Sequence, residues 1–136
     1  MSDVSTAPDP TSETANPTPE TAGTYVATLR RTLGLSQKRL GTQMTTLGNS
    51  SLSRIEHNKQ GLGLAPIHEL AELCAVQLGY DRVAGTLVRL AAQTNEPPDP
   101  AVLSLYETAA MAARLSAVDY NAVVGASLRR LQEVAA

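Results

Sequence analysis

Residues 49–59 read Asn-Ser-Ser-Leu-Ser-Arg-Ile-Glu-His-Asn-Lys, a stretch whose side chains can do recognition chemistry if they form a helix. At 100° per residue, with Leu52 directed inward, Ile55 and Glu56 turn inward too. Ser50, Ser53, Arg54 and His57 face the other way, with Asn49 at the N-terminal end. An α-helix fits the major groove of DNA, where arginine makes two hydrogen bonds to guanine and asparagine two to adenine. Arg54 and Asn49 are therefore the expected base readers, with Ser50 a third. Ser51, Ser53 and Lys59 are expected at phosphates. So are Lys38, which points outward, and Gln37, which opens a preceding helix.

No other constellation competes with this one. Cys74 is the single cysteine and His57 and His68 the two histidines, so neither a disulfide framework nor a metal-ligand cluster is expected. Cys74 falls on an apolar stripe and reads as a small buried hydrophobe. His68 reads as a flank residue. Gly61-Leu62-Gly63 follows no strand pattern and lacks a later glycine at phosphate-loop spacing. No nucleophile is bracketed by a base, so no enzyme and no cofactor are expected. A reducing, cytoplasmic setting follows from the cysteine usage, and no apolar run approaches the roughly 18–20 residues of a membrane helix.

The chain has 136 residues and a formal net charge of -2, which hides an uneven distribution. Residues 1–23 hold four acids and no base. Residues 24–94 hold eight bases against four acids, and residues 95–136 three against five. Six of the eight bases precede residue 60, a local positive bias suited to phosphate contact.

The elements that must position these groups are helical. Residues 1–23, rich in Thr, Pro, Ser, Glu and Asp, have nothing bulky and apolar after Val4 and are expected to be a disordered tail. Val26, Leu29 and Leu33 then mark a first helix from about Thr24 to Gly34. Ser36 caps a second, with Leu40 and Met44 inward. Residues 45–48 make a turn, and the third helix runs over about 49–57. Beyond Pro66, taken as a first helical position, Ile67, Leu70, Ala71, Cys74 and Leu78 form one continuous stripe on a fourth helix. Gly79 stops it, and Asp81 is expected to cap a fifth, with Val83, Leu87, Leu90 and Ala91 inward. Glu96-Pro97-Pro98-Asp99-Pro100 is a stiff break and the expected domain boundary. Two further helices, about 101–114 and 117–134, form a C-terminal hairpin, the second opened by Ser116. The fold class is all-α: a five-helix domain over 24–94 and a hairpin over 95–136.

The same wheel applied to the first helix turns Arg30 inward and Arg31 outward. Two charges, Arg30 and Glu56, thus approach the core. An isolated buried ion costs several kcal/mol and a hydrogen-bonded pair offsets most of that, so a salt bridge between them is expected.

Leu35-Ser36-Gln37-Lys38-Arg39-Leu40 followed by Leu52-Ser53-Arg54-Ile55-Glu56-His57-Asn58-Lys59 resembles the phage-repressor (XRE-type) helix-turn-helix family. The resemblance covers about residues 25–78 and extends through Ile67-His68-Glu69-Leu70-Ala71-Glu72-Leu73. It implies a lambda-repressor-like DNA-binding domain, the Arg30–Glu56 pair, and a transcriptional regulator, typically a repressor. Two positions depart from the family pattern. Gly41 stands where alanine is usual, keeping space between the second and third helices. The turn from Met44 to Leu52 is one residue longer, at Thr45-Thr46, and an altered entry angle would move Asn49 and Ser50 relative to a groove.

The hairpin stripes, Val102, Leu105, Tyr106 and Ala109 on one helix and Val124, Leu128, Leu131 and Ala135 on the other, exceed what one hairpin needs. A homodimer joined through them, reading a near-palindromic operator, is the expectation; packing onto its own domain is the other outcome. Two further function classes stay open: an antitoxin gripping a protein partner through the tail or hairpin, and a protein-interaction adaptor with a degenerate DNA face.

Overall fold

The computed structural model describes residues 20–94 and 100–135, and among them eight helices and no strand. The helices are α1 Ala22–Thr32, α2 Gln37–Gln43, α3 Asn49–Glu56, α4 Leu64–Leu73, α5 Ala75–Leu78, α6 Tyr80–Thr94, α7 Pro100–Met111 and α8 Ala117–Ala135. Most of the expected acidic tail and the segment 95–99 expected as a boundary lie outside the described residues. No helix among the described residues is long and apolar enough to cross a membrane.

The start of α1 corrects the expected tail boundary. The Thr21 hydroxyl accepts from the Thr24 amide at 3.1 Å while the Thr24 hydroxyl accepts from the Thr21 amide at 2.8 Å. This reciprocal capping box satisfies two end groups and begins the helix at Ala22 rather than near Thr24. Ala22 and Gly23, counted with the tail by composition, are buried. At the other end, the Gly34 amide bonds the Arg31 carbonyl and the Leu35 amide the Arg30 carbonyl, closing α1 where expected.

Three later elements also differ from expectation. The stripe from Ile67 to Leu78 belongs to two helices, because the backbone at Cys74 leaves the helical region at φ -96°, ψ 3°. Cys74 is itself buried, and that burial raises its thiol pKa. Pro66 is the third residue of α4, still within the first turn where an amide hydrogen has no intrahelical partner. Asp81 lies inside the first turn of α6 and pairs with Arg129 of α8 at 3.3 Å instead of capping.

One core runs from Ala22 to Leu128 and includes the apolar faces of α7 and α8. Val102, Leu105, Tyr106, Ala109, Val124 and Leu128 are buried within the chain, and Leu131 packs against the same core. Their partners are chiefly α6, which packs most extensively with α8 and also with α7; α8 reaches α4 as well. The surplus apolar area of the hairpin is thus absorbed without a second chain. Packing is tight: a Cβ on Gly85 of α6 would lie 2.9 Å from the Asn121 Cα of α8 and closer still to the Asn121 amide.

Polar groups stitch the same helices at one edge. Burial pushes the Tyr80 phenol up to about 12, against the smaller opposing effect of Arg129, so at neutral pH it is a donor. Its hydroxyl lies 2.7 Å from His68 Nδ1, and the other ring nitrogen, Nε2, lies 3.2 Å from Glu72 Oε1. The Arg129 guanidinium stacks 4.0 Å from the Tyr80 ring centre. His68, expected as a flank residue, therefore joins α4 to α6.

Gly85→Ala gains about 1 kcal/mol of helix propensity but forces α6 from α8, an overpacking cost of about 1–3 kcal/mol. Net destabilisation is expected as a lower urea midpoint; a raised midpoint would refute the close approach.

Candidate nucleic-acid interface

The site is assembled from the inside outward. Leu52 and Ile55 of α3 are buried, and Glu56 beside them is only 6% exposed in its side chain. Arg30 of α1 meets that carboxylate with both sides of its fork: Nε donates to Oε2 at 2.8 Å and Nη2 to Oε1 at 3.1 Å. Nη1 donates to the Leu35 carbonyl at 3.1 Å. The bond to Glu56 raises the guanidinium pKa further, outweighing burial. The expected Arg30–Glu56 pair is present in two-pronged form, and removing either partner from so enclosed a pair costs about 3 kcal/mol or more.

Gln37 has a different place from the one expected. Its Nε2 donates to Glu56 Oε1 at 2.9 Å, so the amide expected at a phosphate is engaged inside the fold. The N-terminus of α2 is capped by Ser36, whose hydroxyl accepts from the Arg39 amide at 3.1 Å. Glu56 thereby holds α1, α2 and α3 through one carboxylate.

The C-terminal end of α3 is anchored separately. Asn58 adopts φ 59°, the left-handed region that asparagine tolerates best after glycine. Its amide bonds the Ile55 carbonyl and the Lys59 amide bonds the Arg54 carbonyl, the paired pattern of a Schellman end. The Asn58 side chain reaches α1, accepting from the Gly23 amide at 3.2 Å and donating to the Thr21 hydroxyl at 3.0 Å. The sequence reading missed this tether, although an asparagine just past a predicted helix is a recognisable signal for a left-handed cap.

The longer turn before α3 is held from α4. Glu69 Oε2 accepts from the Thr45 amide at 2.8 Å and its hydroxyl at 3.0 Å; Oε1 accepts from the Thr46 amide at 3.1 Å and its hydroxyl. Burial raises the Glu69 pKa, but these four donors together outweigh it and hold the carboxyl below its ordinary value. Met44 and Leu47 bury their side chains on either side of the two threonines.

Gly41 does more than keep space. A Cβ there would lie 2.9 Å from the Asn49 amide nitrogen and 3.1 Å from Asn49 Cα, so the start of α3 rests directly on α2. Alanine at this position would displace backbone, which no rotamer change can relieve.

These anchors leave one edge of α3 outward. Asn49, Ser50, Arg54 and His57 are exposed, Ser51 and Ser53 half-buried, and Lys38, Arg39 and Lys59 exposed nearby in sequence. Arg54 Nε donates to Gln60 Oε1 at 3.0 Å, laying the guanidinium along its own helix. His57 Nδ1 donates to the Ser53 carbonyl at 2.7 Å, which a carbonyl can only accept. The N-terminus of α3 follows Gly48 and has no side-chain cap. Helix α3 packs on α1 and α2, whereas α7 and α8 gather on α6 and α4. Comparison of the chain with protein-family models, with curated proteins and with solved structures finds no match in any of the three.

Because the folded pKa of Glu69 is lowered, its contribution is fully present above the ordinary value of 4.5 and is lost as pH falls through the lowered value. Glu69→Gln places an NH2 against donors and should cost about 1 kcal/mol at pH 7, allowing for solvent screening. It should also flatten the acid limb of stability below pH 4.5, read by urea denaturation. An unchanged acid limb would show the clamp to be idle.

Proposed function

We propose that the chain is a sequence-specific double-stranded DNA-binding transcriptional regulator, a repressor that acts by occluding promoter DNA in the cytoplasm. In this reading α1–α4 and α6 make a phage-repressor-like helix-turn-helix domain, and α3 enters the major groove. One observation carries it: α3 is fastened along its inner edge while Asn49, Ser50 and Arg54 remain exposed along its outer one. A helix that served only the core would have no need of a polar edge fixed so firmly.

The roles follow from chemistry. Arg54 leaves Gln60 to make two hydrogen bonds to a guanine edge, and Asn49 and Ser50 read neighbouring bases. Lys38, Lys59, Ser51 and Ser53 contact phosphates and set register. Gln37 serves instead by steadying Glu56. Glu56 on α3 and Glu69 at the turn before it are both occupied by donors within the fold.

A homodimer on a near-palindromic operator remains part of the reading, but its seam moves. The hairpin stripes are occupied inside the chain, whereas Met111 and Val118, flanking the α7–α8 turn, are 81% and 77% exposed. Two copies meeting there would cover them.

Selection from random duplexes followed by gel shift tests the DNA reading. Arg54→Ala should weaken the selected site about 5- to 150-fold. Lys59→Gln should weaken all sequences alike and lower the salt slope by about one. If no duplex is retarded even at low salt, the reading fails. For the dimer, Met111→Glu with Val118→Glu should halve the mass in light scattering; a monomeric parent chain would remove that part alone.

A further inference from the structure

A concavity lies on α6, α7 and α8, with no lining residue from α3. It has a volume of about 510 Å3 and is walled by Ala109, Ala110, Ala113 and Leu115, with Arg89 and Tyr120 among its polar groups. That volume is inside the roughly 300–1,000 Å3 range of small-molecule sites.

Two of its polar residues, Arg89 and Tyr120, carry the argument. Arg89 is exposed and makes no ion pair among the described residues. Tyr120 lines the cleft as well, and its hydroxyl makes no hydrogen bond to another side chain among the described residues. Arg89 is close enough for its charge to act on that hydroxyl, opposing the larger effect of burial on the Tyr120 pKa. A cation and a hydroxyl donor therefore converge at the border of an apolar cleft.

We infer that this cleft binds a small apolar molecule bearing one carboxylate. The carboxylate accepts from the Arg89 guanidinium and the Tyr120 hydroxyl, and the hydrocarbon body lies on Ala109, Ala110, Ala113 and Leu115. A neutral ligand would leave the guanidinium without a counter-charge, and a doubly charged one would find no second cation among the described lining residues. The inference stands on the cleft alone and does not require that the chain bind DNA.

The test is titration of the 15N-labelled full chain with 2-naphthoate and with decanoate, followed by amide shifts, with 2-naphthamide as the uncharged comparison. At least one acid should bind at millimolar concentration or below, moving the amides of Arg89, Ala110, Ala113 and Tyr120. The naphthamide should bind about tenfold more weakly. Arg89→Gln, at an exposed position that leaves the fold intact, should weaken the acid about tenfold, and Tyr120→Phe about fivefold. Neither acid moving those amides overturns the proposal. So does equal binding of naphthoate and naphthamide, or acid affinity unaffected by Arg89→Gln.

Discussion

An ionised carboxylate in a nearly closed site must be met by donors, and that requirement at Glu56 organises the N-terminal half of the molecule. Left alone it would cost several kcal/mol. Its donors arrive from α1 through Arg30 and from α2 through Gln37, so satisfying one group orients three helices together. Arg30 also donates to the Leu35 carbonyl, extending the same junction into the link between α1 and α2. Asn58 adds a second fastening at the far end of the α1–α3 contact. Two fixed points along a helix of eight residues leave it little freedom to roll, and the direction of its outer edge follows.

What sequence made legible was whatever depends on direction along a helix. The 100° rotation alone turned Leu52, Ile55 and Glu56 to one side, and Arg30 likewise, which is why their pairing could be anticipated. The exposed positions of Asn49, Ser50 and Arg54 follow from the same geometry. What escaped was long-range partner choice. Nothing local distinguishes Gln37 as Glu56's second donor from Gln37 as an exposed amide. Glu69 lies 24 residues from Thr45, and no periodicity connects them. The break at Cys74 carries no glycine or proline to announce it, and Ala22 and Gly23 were masked by the composition of the residues before them.

The hairpin shows a related boundary between pattern and partner. A stripe of apolar residues states that a face is covered, and it is silent about what covers it. Val124 and Leu128 would look the same in sequence whether they met α6 of their own chain or a copy. In the structure α6 of the same chain covers them, and at Gly85 its backbone lies close against Asn121 of α8. A glycine inside a helix reads as a cost of about 1 kcal/mol until its neighbour across the interface is known.

That pairing has a consequence in time. The partners of α6 include a helix whose last residue follows Thr94 by 41 positions. At about 5–20 residues per second, a ribosome needs about 2–8 s to make that stretch. Arg30, Gln37 and Glu56, together with the α1 and α4 partners of α6, are all made before that stretch begins. The carboxy-terminal share of the core is thus the last to meet its partners as the chain is made.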